Sequence, residues 1–160
     1  VRRNPNFAEA FYGLGRSHEK LGAVERAQAA YRDCLNIQPG HAKANYHLAV
    51  LYFQAAQYTQ AEAHLQRAID TDAGNYYAYF YLGEIGRMQG QCQAPKQRYQ
   101  KALAIKSDFY DAQDALRTTE RENCRTVVKE KAPSVKRIPV KPKVEDEFRG
   151  GGRALKPGEW

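Results

Sequence analysis

Hydrophobic residues recur along residues 8–121 at intervals of three and four positions, the spacing that places side chains on one face of an α-helix. Glycine, proline or short polar stretches interrupt this spacing at regular distances, for example at Gly22, at Pro39-Gly40 and at Gly90. The pattern therefore predicts six helices joined by short turns and a seventh helix after them. The expected bounds are 8–21, 24–37, 42–55, 58–71, 76–89, 92–106 and 110–123.

The same arrangement of residue types occurs three times, with a period of 34 residues, between Ala8 and Phe109. Large apolar residues hold some positions of each copy and small residues hold others, so that paired helices can approach closely. The recurring residues are Leu14, Leu48 and Leu82 at the seventh position, Gly15, Ala49 and Gly83 at the eighth, and Tyr31, Leu65 and Tyr99 at the twenty-fourth. One helix pair cannot bury its apolar side alone, but stacked neighbours can.

Period, spacing and residue types resemble the tetratricopeptide repeat, a helix–turn–helix unit that stacks into a right-handed solenoid. The resemblance implies an all-α fold: a right-handed α-solenoid of three helical hairpins, followed by a C-terminal capping helix and an extended tail. We expect the parts to be residues 1–7, a remnant of a preceding repeat or a linker; the repeats 8–41, 42–75 and 76–109; the capping helix 110–124; and the tail 125–160.

Two departures from the family pattern in the third repeat bear on its packing. Gly86 stands where the family has an aromatic residue, which predicts a loosely filled spot in the core. Pro95 stands where the other copies have alanine, and a proline inside a helix loses a hydrogen bond and clashes with the preceding turn. We expect this helix either to begin late, near Ala94, or to be kinked.

The resemblance also implies a groove, because in the family the first helix of each hairpin builds the concave face. Position five is aromatic in all three copies, and rigid rings suit the capture of an extended peptide because they bury a large area at low entropic cost. The alternative is that some of these rings pack between neighbouring helices. The expected groove residues are Tyr12, Arg16, Tyr46, His47, Val50, Phe53, Tyr77, Phe80, Tyr81, Glu84 and Arg87.

Some family members grip the C-terminal carboxylate of a peptide with lysine and asparagine in this groove. Here Tyr12 and Arg16 stand at the first two of those positions, and His47 stands where a second asparagine would be. The sequence therefore does not favour a carboxylate clamp.

The tail has a different character and carries much of the positive charge. The whole chain has a net charge of +7, and residues 122–160 hold 10 Lys and Arg against 6 Asp and Glu. Four prolines and three consecutive glycines exclude a continuous helix. We expect an extended arm that docks on a neighbouring protein, either as a charged stripe or as an added edge strand. Its expected docking residues are Lys136, Arg137, Val140, Lys141, Phe148 and Trp160.

The three cysteines have different expected roles. Cys34 holds a small-residue core position and is expected to be a buried free thiol. Cys92 and Cys124 should meet at one end of two antiparallel helices, which predicts a disulfide, with two unrelated thiols as the alternative. The bond would indicate an oxidising compartment, periplasmic or extracellular; without it a cytoplasmic protein is favoured.

No catalytic, cofactor or metal site is expected. The four histidines are scattered without metal-ligand spacing, no glycine-rich phosphate loop is present, and no apolar run reaches the length of a membrane span. The chain is therefore predicted to be a non-catalytic scaffold that binds an extended segment of a partner protein and docks its tail on a neighbour in a larger assembly, with a homo-oligomer possible in principle. The alternative is an adaptor whose basic tail binds nucleic acid or an anionic membrane surface; nucleic acid is disfavoured, because no aromatic residues interleave the basic run.

Overall fold

The computed structural model describes residues 5–121, and every regular element in that range is an α-helix. The helices are α1 (Pro5–Lys20), α2 (Val24–Ile37), α3 (Ala42–Gln54), α4 (Tyr58–Thr71), α5 (Tyr76–Met88), α6 (Gln93–Ile105) and α7 (Tyr110–Arg121). The predicted all-α solenoid is confirmed, and α2 and α4 have the expected bounds. The other helix ends within the described range shift by three residues or fewer, as fraying helix ends do.

Consecutive helices form hairpins that stack side by side. α1 packs on α2, α3 on α4 and α5 on α6, and the hairpins join through contacts of α2 with α3, α4 with α5, and α6 with α7. α3 also contacts α5, and α5 contacts α7, so these helices lie along one side of the stack, which we call the inner face. A continuous core runs from Ala8 in α1 to Ile85 in α5, and a second cluster around Tyr99 joins α5, α6 and α7.

Each hairpin turns at a residue with a positive φ. Gly22 has φ 71°, Ala56 57° and Gly90 74°. The N–H of Gly22 donates to the carbonyl of Glu19, and the next N–H donates to the carbonyl of His18. The other two turns repeat this pair of bonds, which is the Schellman arrangement that ends a helix. Glycine adopts this backbone conformation freely, whereas the Cβ of Ala56 makes it costly.

The first and third hairpins are closed by a tyrosine ring that lies on a glycine. A Cβ atom at Gly15 would stand 2.5 Å from Cε1 of Tyr31, and one at Gly83 would stand 2.4 Å from Cε1 of Tyr99. Both rings are fully buried. Because protein interiors are close-packed, neither ring can stay in place above a larger residue.

The middle hairpin makes the equivalent contact between Ala49 and Leu65, both fully buried. Its α3 also carries a fully buried polar residue, Asn45. The amide of Asn45 donates to the carbonyls of Pro39 and His41, at 2.9 and 3.2 Å, and its oxygen lies 2.9 Å from Nδ1 of His64. These bonds satisfy the buried amide and tie α3 to the turn before it and to α4.

The expectation of a loosely filled core at Gly86 is wrong. A Cβ there would lie 3.1 Å from Cγ of Pro95 and 3.1 Å from Oε1 of Gln91, so the space is already occupied. Pro95 is buried in the first turn of α6, which begins at Gln93. The absent N–H of a proline costs no hydrogen bond in that turn, and its ring fills the room that Gly86 leaves.

α7 presents one apolar side to the stack and one charged side away from it. Ala112 is fully buried and Leu116 packs against the second cluster, whereas Asp114 and Arg117 form an exposed ion pair at 3.6 Å. Among the seven described helices, none combines the length and apolar character needed to cross a lipid bilayer.

Ala56→Gly is expected to raise the free energy of unfolding by about 1 kcal/mol, because it removes the steric cost of a positive φ. Urea denaturation of the variant and the wild type measures the change. Ala55→Gly is the matched control: Ala55 has φ −84°, so glycine there should lower stability. A destabilised Ala56→Gly variant would contradict the turn geometry.

Gly83→Ala is expected to lower the free energy of unfolding by about 2 kcal/mol, because the added methyl group displaces the Tyr99 ring. Gly13→Ala is the control, since a Cβ there meets nothing within 4 Å and should stabilise α1 by about 0.5–1 kcal/mol.

The double variant Gly83→Ala/Tyr99→Leu reproduces the alanine–leucine contact of the middle hairpin. It should be less destabilised than the sum of its two single variants, as measured by a double-mutant cycle in urea. Additive effects would show that ring and glycine do not constrain each other.

Candidate functional site

The inner face, together with the side of α1 that contacts His47 of α3, holds most of the residues expected to line a groove. Eight of them are at least partly exposed there: Tyr12, Arg16, Tyr46, His47, Phe53, Tyr77, Tyr81 and Arg87. The most exposed ring is that of Tyr77, at 40%. Tyr77 is therefore the most accessible aromatic side chain of the set, and the other rings are more buried.

The position-five ladder packs between neighbouring helices. The Tyr12 ring lies 5.0 Å from that of His41 and 5.9 Å from that of His47, centroid to centroid. The Phe80 ring lies 5.2 Å from that of Phe109 and is buried. Of the two readings of this ladder, the geometry supports packing between helices, which joins each hairpin to the next.

Three expected groove residues are corrected in this way. Val50, Phe80 and Glu84 are all less than one-tenth exposed, so none of them offers a surface to a ligand. Val50 belongs to the apolar middle hairpin, Phe80 to the cluster around Tyr99, and Glu84 to a buried ion pair. Position in a helix predicted their direction, but the neighbouring hairpin that covers them was not visible in the sequence.

A belt of rings occupies the centre of the inner face. Tyr46 in α3 lies 6.1 Å from Tyr77 and 6.2 Å from Tyr81 in α5, and Phe53 lies 5.2 Å from Tyr81. Tyr77 also contacts the ring of Phe109 at 5.1 Å. Burial raises the pKa of Tyr81 to about 12, so these phenols are neutral at physiological pH. The belt is an uncharged aromatic surface about two helices wide.

A polar cluster lies beside the belt, where α1, α2 and α3 meet. The carboxylate of Glu19 accepts a hydrogen bond of 2.5 Å from the hydroxyl of Tyr31 and lies 3.2 Å from Nδ1 of His47. Nη1 of Arg16 donates to the hydroxyl of Tyr12 at 3.2 Å and lies 3.1 Å from Nε2 of His47. The five side chains form one network across three helices.

The arginine sets the tautomer of His47. A guanidinium only donates, so Nε2 of His47 must accept, and its Nδ1–H then donates to Glu19. Nε of Arg16 is buried and lies 3.9 Å from Glu19, too far for a hydrogen bond. Within residues 5–121 it has no hydrogen-bond acceptor, so it is a buried donor that the network leaves unpaired.

A matching cluster lies in the third hairpin with the charges exchanged. The hydroxyl of Tyr99 donates to Glu84 at 2.6 Å, and Nη2 of Arg87 donates to the same carboxylate at 2.9 Å. The first hairpin has arginine at the ninth position and glutamate at the twelfth, whereas the third has Glu84 and Arg87. The two clusters flank the aromatic belt.

Sequence reasoning missed the roles of Glu19, Tyr31 and Tyr99, although a signal was present. Copies with glycine at position eight have tyrosine at position twenty-four and an arginine–glutamate pair at positions nine and twelve. The middle copy, with alanine and leucine at those two positions, has Val50 and Phe53 instead. The residue at position eight, the residue at position twenty-four and the pair at positions nine and twelve therefore differ together between copies, because their side chains are in contact.

A cavity of about 270 Å³ lies away from the inner face, between α4, α5 and α6. Its wall includes Ile69, Tyr79, Leu82 and Arg98. The Arg98 guanidinium already donates to the carbonyl of Leu82 at 2.8 Å and to Glu62 at 3.3 Å. Among the described residues, no group of three His, Cys, Asp or Glu side chains is placed to hold a metal ion.

Several predicted sites lie outside the described residues. These are the tail residues Lys136, Arg137, Val140, Lys141, Phe148 and Trp160, and Cys124 of the predicted Cys92–Cys124 disulfide. Their roles stay predictions. Cys34 is a buried free thiol, as expected, and burial raises its pKa to about 11.

The helical part of the chain is similar to known proteins. Residues 20–82 match the family model described as Tetratricopeptide repeat. The chain is 30% identical over 108 residues to Tetratricopeptide repeat protein 6 of Homo sapiens, which is 66% of this chain and 21% of that protein. It is 27% identical over 111 residues to Anaphase-promoting complex subunit 3 of Schizosaccharomyces pombe, which is 69% of this chain and 15% of that protein.

Among solved structures, the first TPR of Spaghetti (RPAP3), bound to the HSP90 peptide SRMEEVD, matches with a TM-score of 0.71. The two chains are 18% identical, and the match covers 76% of this chain and 96% of that one. This likeness is one of fold. The chain spans about a fifth or less of the length of the curated relatives it matches.

Glu19→Gln is expected to lower the free energy of unfolding at neutral pH by an amount that shrinks in acid. Burial alone would raise the pKa of Glu19, but hydrogen bonds from His47 and Tyr31, with the charge of Arg16, lower it below its ordinary value. A lowered pKa gives stability that is present above the unfolded-state pKa, about 4.3, and is lost as pH falls through the folded-state pKa.

Urea denaturation of wild type and variant from neutral to acid pH measures this effect. Glu120→Gln, at an exposed position of α7, is the control and should change stability little. A difference between wild type and Glu19→Gln that stays constant with pH would contradict the assignment of the lowered pKa.

Proposed function

Because the chain belongs to the tetratricopeptide-repeat family, we propose that it is a non-catalytic adaptor that binds an extended segment of a partner protein along its inner face. The observation that carries this proposal is the aromatic belt of Tyr46, Phe53, Tyr77 and Tyr81 between two polar clusters. Rings supply contact area at low entropic cost, and the polar clusters hold the helices that carry them in a fixed arrangement.

The belt favours apolar or aromatic side chains in the bound segment. Tyr77 is the anchor, because its ring is the most exposed and is held against Phe109. Rigid rings with partly open faces are the usual centres of peptide-binding energy.

The bound segment need not end in a free carboxylate. A related fold, the first TPR of Spaghetti (RPAP3), is bound to the HSP90 peptide SRMEEVD. Here the arginine and histidine side chains of the inner face already have partners within the chain. Arg87 pairs with Glu84, and His47 contacts both Glu19 and Arg16. An internal segment of a partner chain therefore suits this surface better than a chain end.

The proposal extends to the tail. The basic arm around Lys136, Arg137 and Lys141, with Phe148 and Trp160, would dock on an acidic surface of a neighbouring subunit. A Cys92–Cys124 disulfide would hold the start of this arm beside α6. The scaffold then contacts two partners, one through the inner face and one through the arm.

Tyr77→Ala is expected to weaken peptide binding about tenfold or more, since it removes the exposed anchor of the belt. The probe is a linear peptide selected on the intact chain from a random library, and fluorescence anisotropy measures its affinity. Tyr110→Ala is the matched control: Tyr110 is 73% exposed but lies on α7, outside the belt. Equal affinity of wild type and Tyr77→Ala would overturn the inner-face proposal.

A second arm of this experiment separates the belt from the basic tail. Changing Lys136, Arg137 and Lys141 together to Gln should leave peptide affinity unchanged, and the affinity should depend little on salt. A charge-led complex would instead weaken steeply with salt and with the triple substitution. That result would favour the alternative, an adaptor whose tail binds nucleic acid or an anionic membrane surface.

A further inference from the structure

The groove between the second and third hairpins lacks a ring that the groove between the first and second hairpins contains. Tyr52 and Gly86 both hold the eleventh position of their repeats. The hydroxyl of Tyr52 accepts a hydrogen bond from Nη2 of Arg32 in α2 at 3.0 Å, and the ring of His64 in α4 stacks on its ring at a centroid distance of 5.7 Å. The Tyr52 side chain is buried, so a phenol fills the groove between α2, α3 and α4.

The two residues that hold this phenol have counterparts in the wall of the cavity between α4, α5 and α6. Gln66 has the repeat position of Arg32, and Arg98 has the repeat position of His64. Both line the cavity. Gly86 has no side chain that could reach between them. The cavity therefore lies between the same two positions that enclose a tyrosine ring one hairpin earlier.

The cavity is large enough for a ring and has walls that suit one. Its volume is about 270 Å³, and a cavity of about 150 Å³ in a protein interior holds a benzene molecule. Ile69 and Leu82 supply apolar wall. The Arg98 guanidinium is held in place by its bonds to the carbonyl of Leu82 and to Glu62, at 2.8 and 3.3 Å. A guanidinium is planar and stacks on aromatic faces, as the imidazole ring of His64 does on Tyr52.

The charge around the cavity is positive. α6 carries Lys96, Arg98 and Lys101 and has no acidic residue. None of the residues that line the cavity is acidic, and Glu62 offsets only the charge of Arg98. The exposed Lys101 ammonium lies 5.7 Å from the centre of the Tyr79 ring and, within residues 5–121, belongs to no ion pair. An anionic group at the mouth of the cavity is therefore favoured.

We propose that the cavity binds the side chain of a tyrosine from a partner protein, with an acidic residue next to that tyrosine. The phenol takes the place that Tyr52 holds one hairpin earlier, with its ring against Arg98 and its hydroxyl toward Gln66. A glutamine amide both donates and accepts hydrogen bonds, so it matches a hydroxyl. The neighbouring carboxylate pairs with Lys101.

A side chain carried by a polypeptide fits this cavity better than a free aromatic acid. Gln66, Gln97 and Lys101 are all exposed wall residues, so the cavity opens to solvent along one side. Sites for free small molecules enclose most of the ligand surface, whereas a side chain gains further contacts through the chain outside the cavity. The cavity lies away from the inner face, so this inference goes beyond the proposed inner-face binding and does not depend on it.

Fluorescence anisotropy of the intact chain tests the proposal, with a fluorescein-labelled peptide that has one tyrosine between two pairs of glutamates. Replacing the tyrosine of the peptide by alanine should weaken binding about tenfold or more. Lys101→Gln should weaken binding about threefold, the effect of losing an exposed ion pair. Arg67→Gln is the matched control: Arg67 is exposed at the same repeat position in α4, beside the groove that Tyr52 fills, and its loss should leave affinity unchanged.

Two variants close the cavity from within. Gly86→Tyr combined with Pro95→Ala reproduces the residues of the middle hairpin, Tyr52 and Ala61, so that the chain's own ring fills the cavity and peptide binding is lost. Ala94→Leu adds a larger side chain to the cavity wall and should weaken binding about tenfold. Circular dichroism of each variant shows whether the helices are intact, and Ala94→Leu decides the question if the double variant does not fold.

Four results would overturn the proposal. They are a wild-type chain that does not bind the peptide at millimolar concentration, equal loss of affinity in Lys101→Gln and Arg67→Gln, binding that does not need the tyrosine of the peptide, and binding that survives in a folded variant with a closed cavity. Competition with para-hydroxyphenylacetate separates the two sources of the ring. This acid should displace the peptide only at much higher concentration, and displacement at an equal concentration would show that the cavity is a site for a free aromatic acid instead.

Discussion

The contact of a tyrosine ring with a glycine, where the two helices of a hairpin cross, governs both the packing and the inner face of this protein. A Cβ atom at Gly15 or Gly83 would stand about 2.5 Å from the ring of Tyr31 or Tyr99, far inside van der Waals contact. The ring fills the space where the two helices cross, and its hydroxyl lies at the inner face. A phenol hydroxyl buried there requires a hydrogen-bond acceptor.

The acceptor explains the polar clusters. Glu19 receives the hydroxyl of Tyr31 and Glu84 that of Tyr99, and each carboxylate is then paired with an arginine one helical turn away. A buried carboxylate without such partners would be costly. The glycine, the tyrosine, the glutamate and the arginine of each of these hairpins therefore depend on one another. The middle hairpin has Ala49 and Leu65 in place of the glycine and the tyrosine, and Val50 and Phe53 in place of the charged pair. Its part of the inner face is therefore apolar.

This alternation gives the inner face its character. Two hydrogen-bonded clusters flank a belt of rings, and most polar groups in the clusters are engaged with one another. The most open ring among them is that of Tyr77. A surface with few free groups on a rigid frame selects its ligand by shape and apolar contact more than by charge.

The sequence by itself determined the helices, their pairing and the class of fold, because a period of 34 residues with apolar spacings of three and four leaves few other arrangements. It also placed Cys34 in the core and directed Tyr46, Tyr77 and Tyr81 to the inner face. Only the tertiary structure decided that Val50, Phe80 and Glu84 are buried. It also decided that Pro95 fills the space beside Gly86. Helical periodicity reports which side a residue faces, whereas burial depends on what the next helix brings to that side.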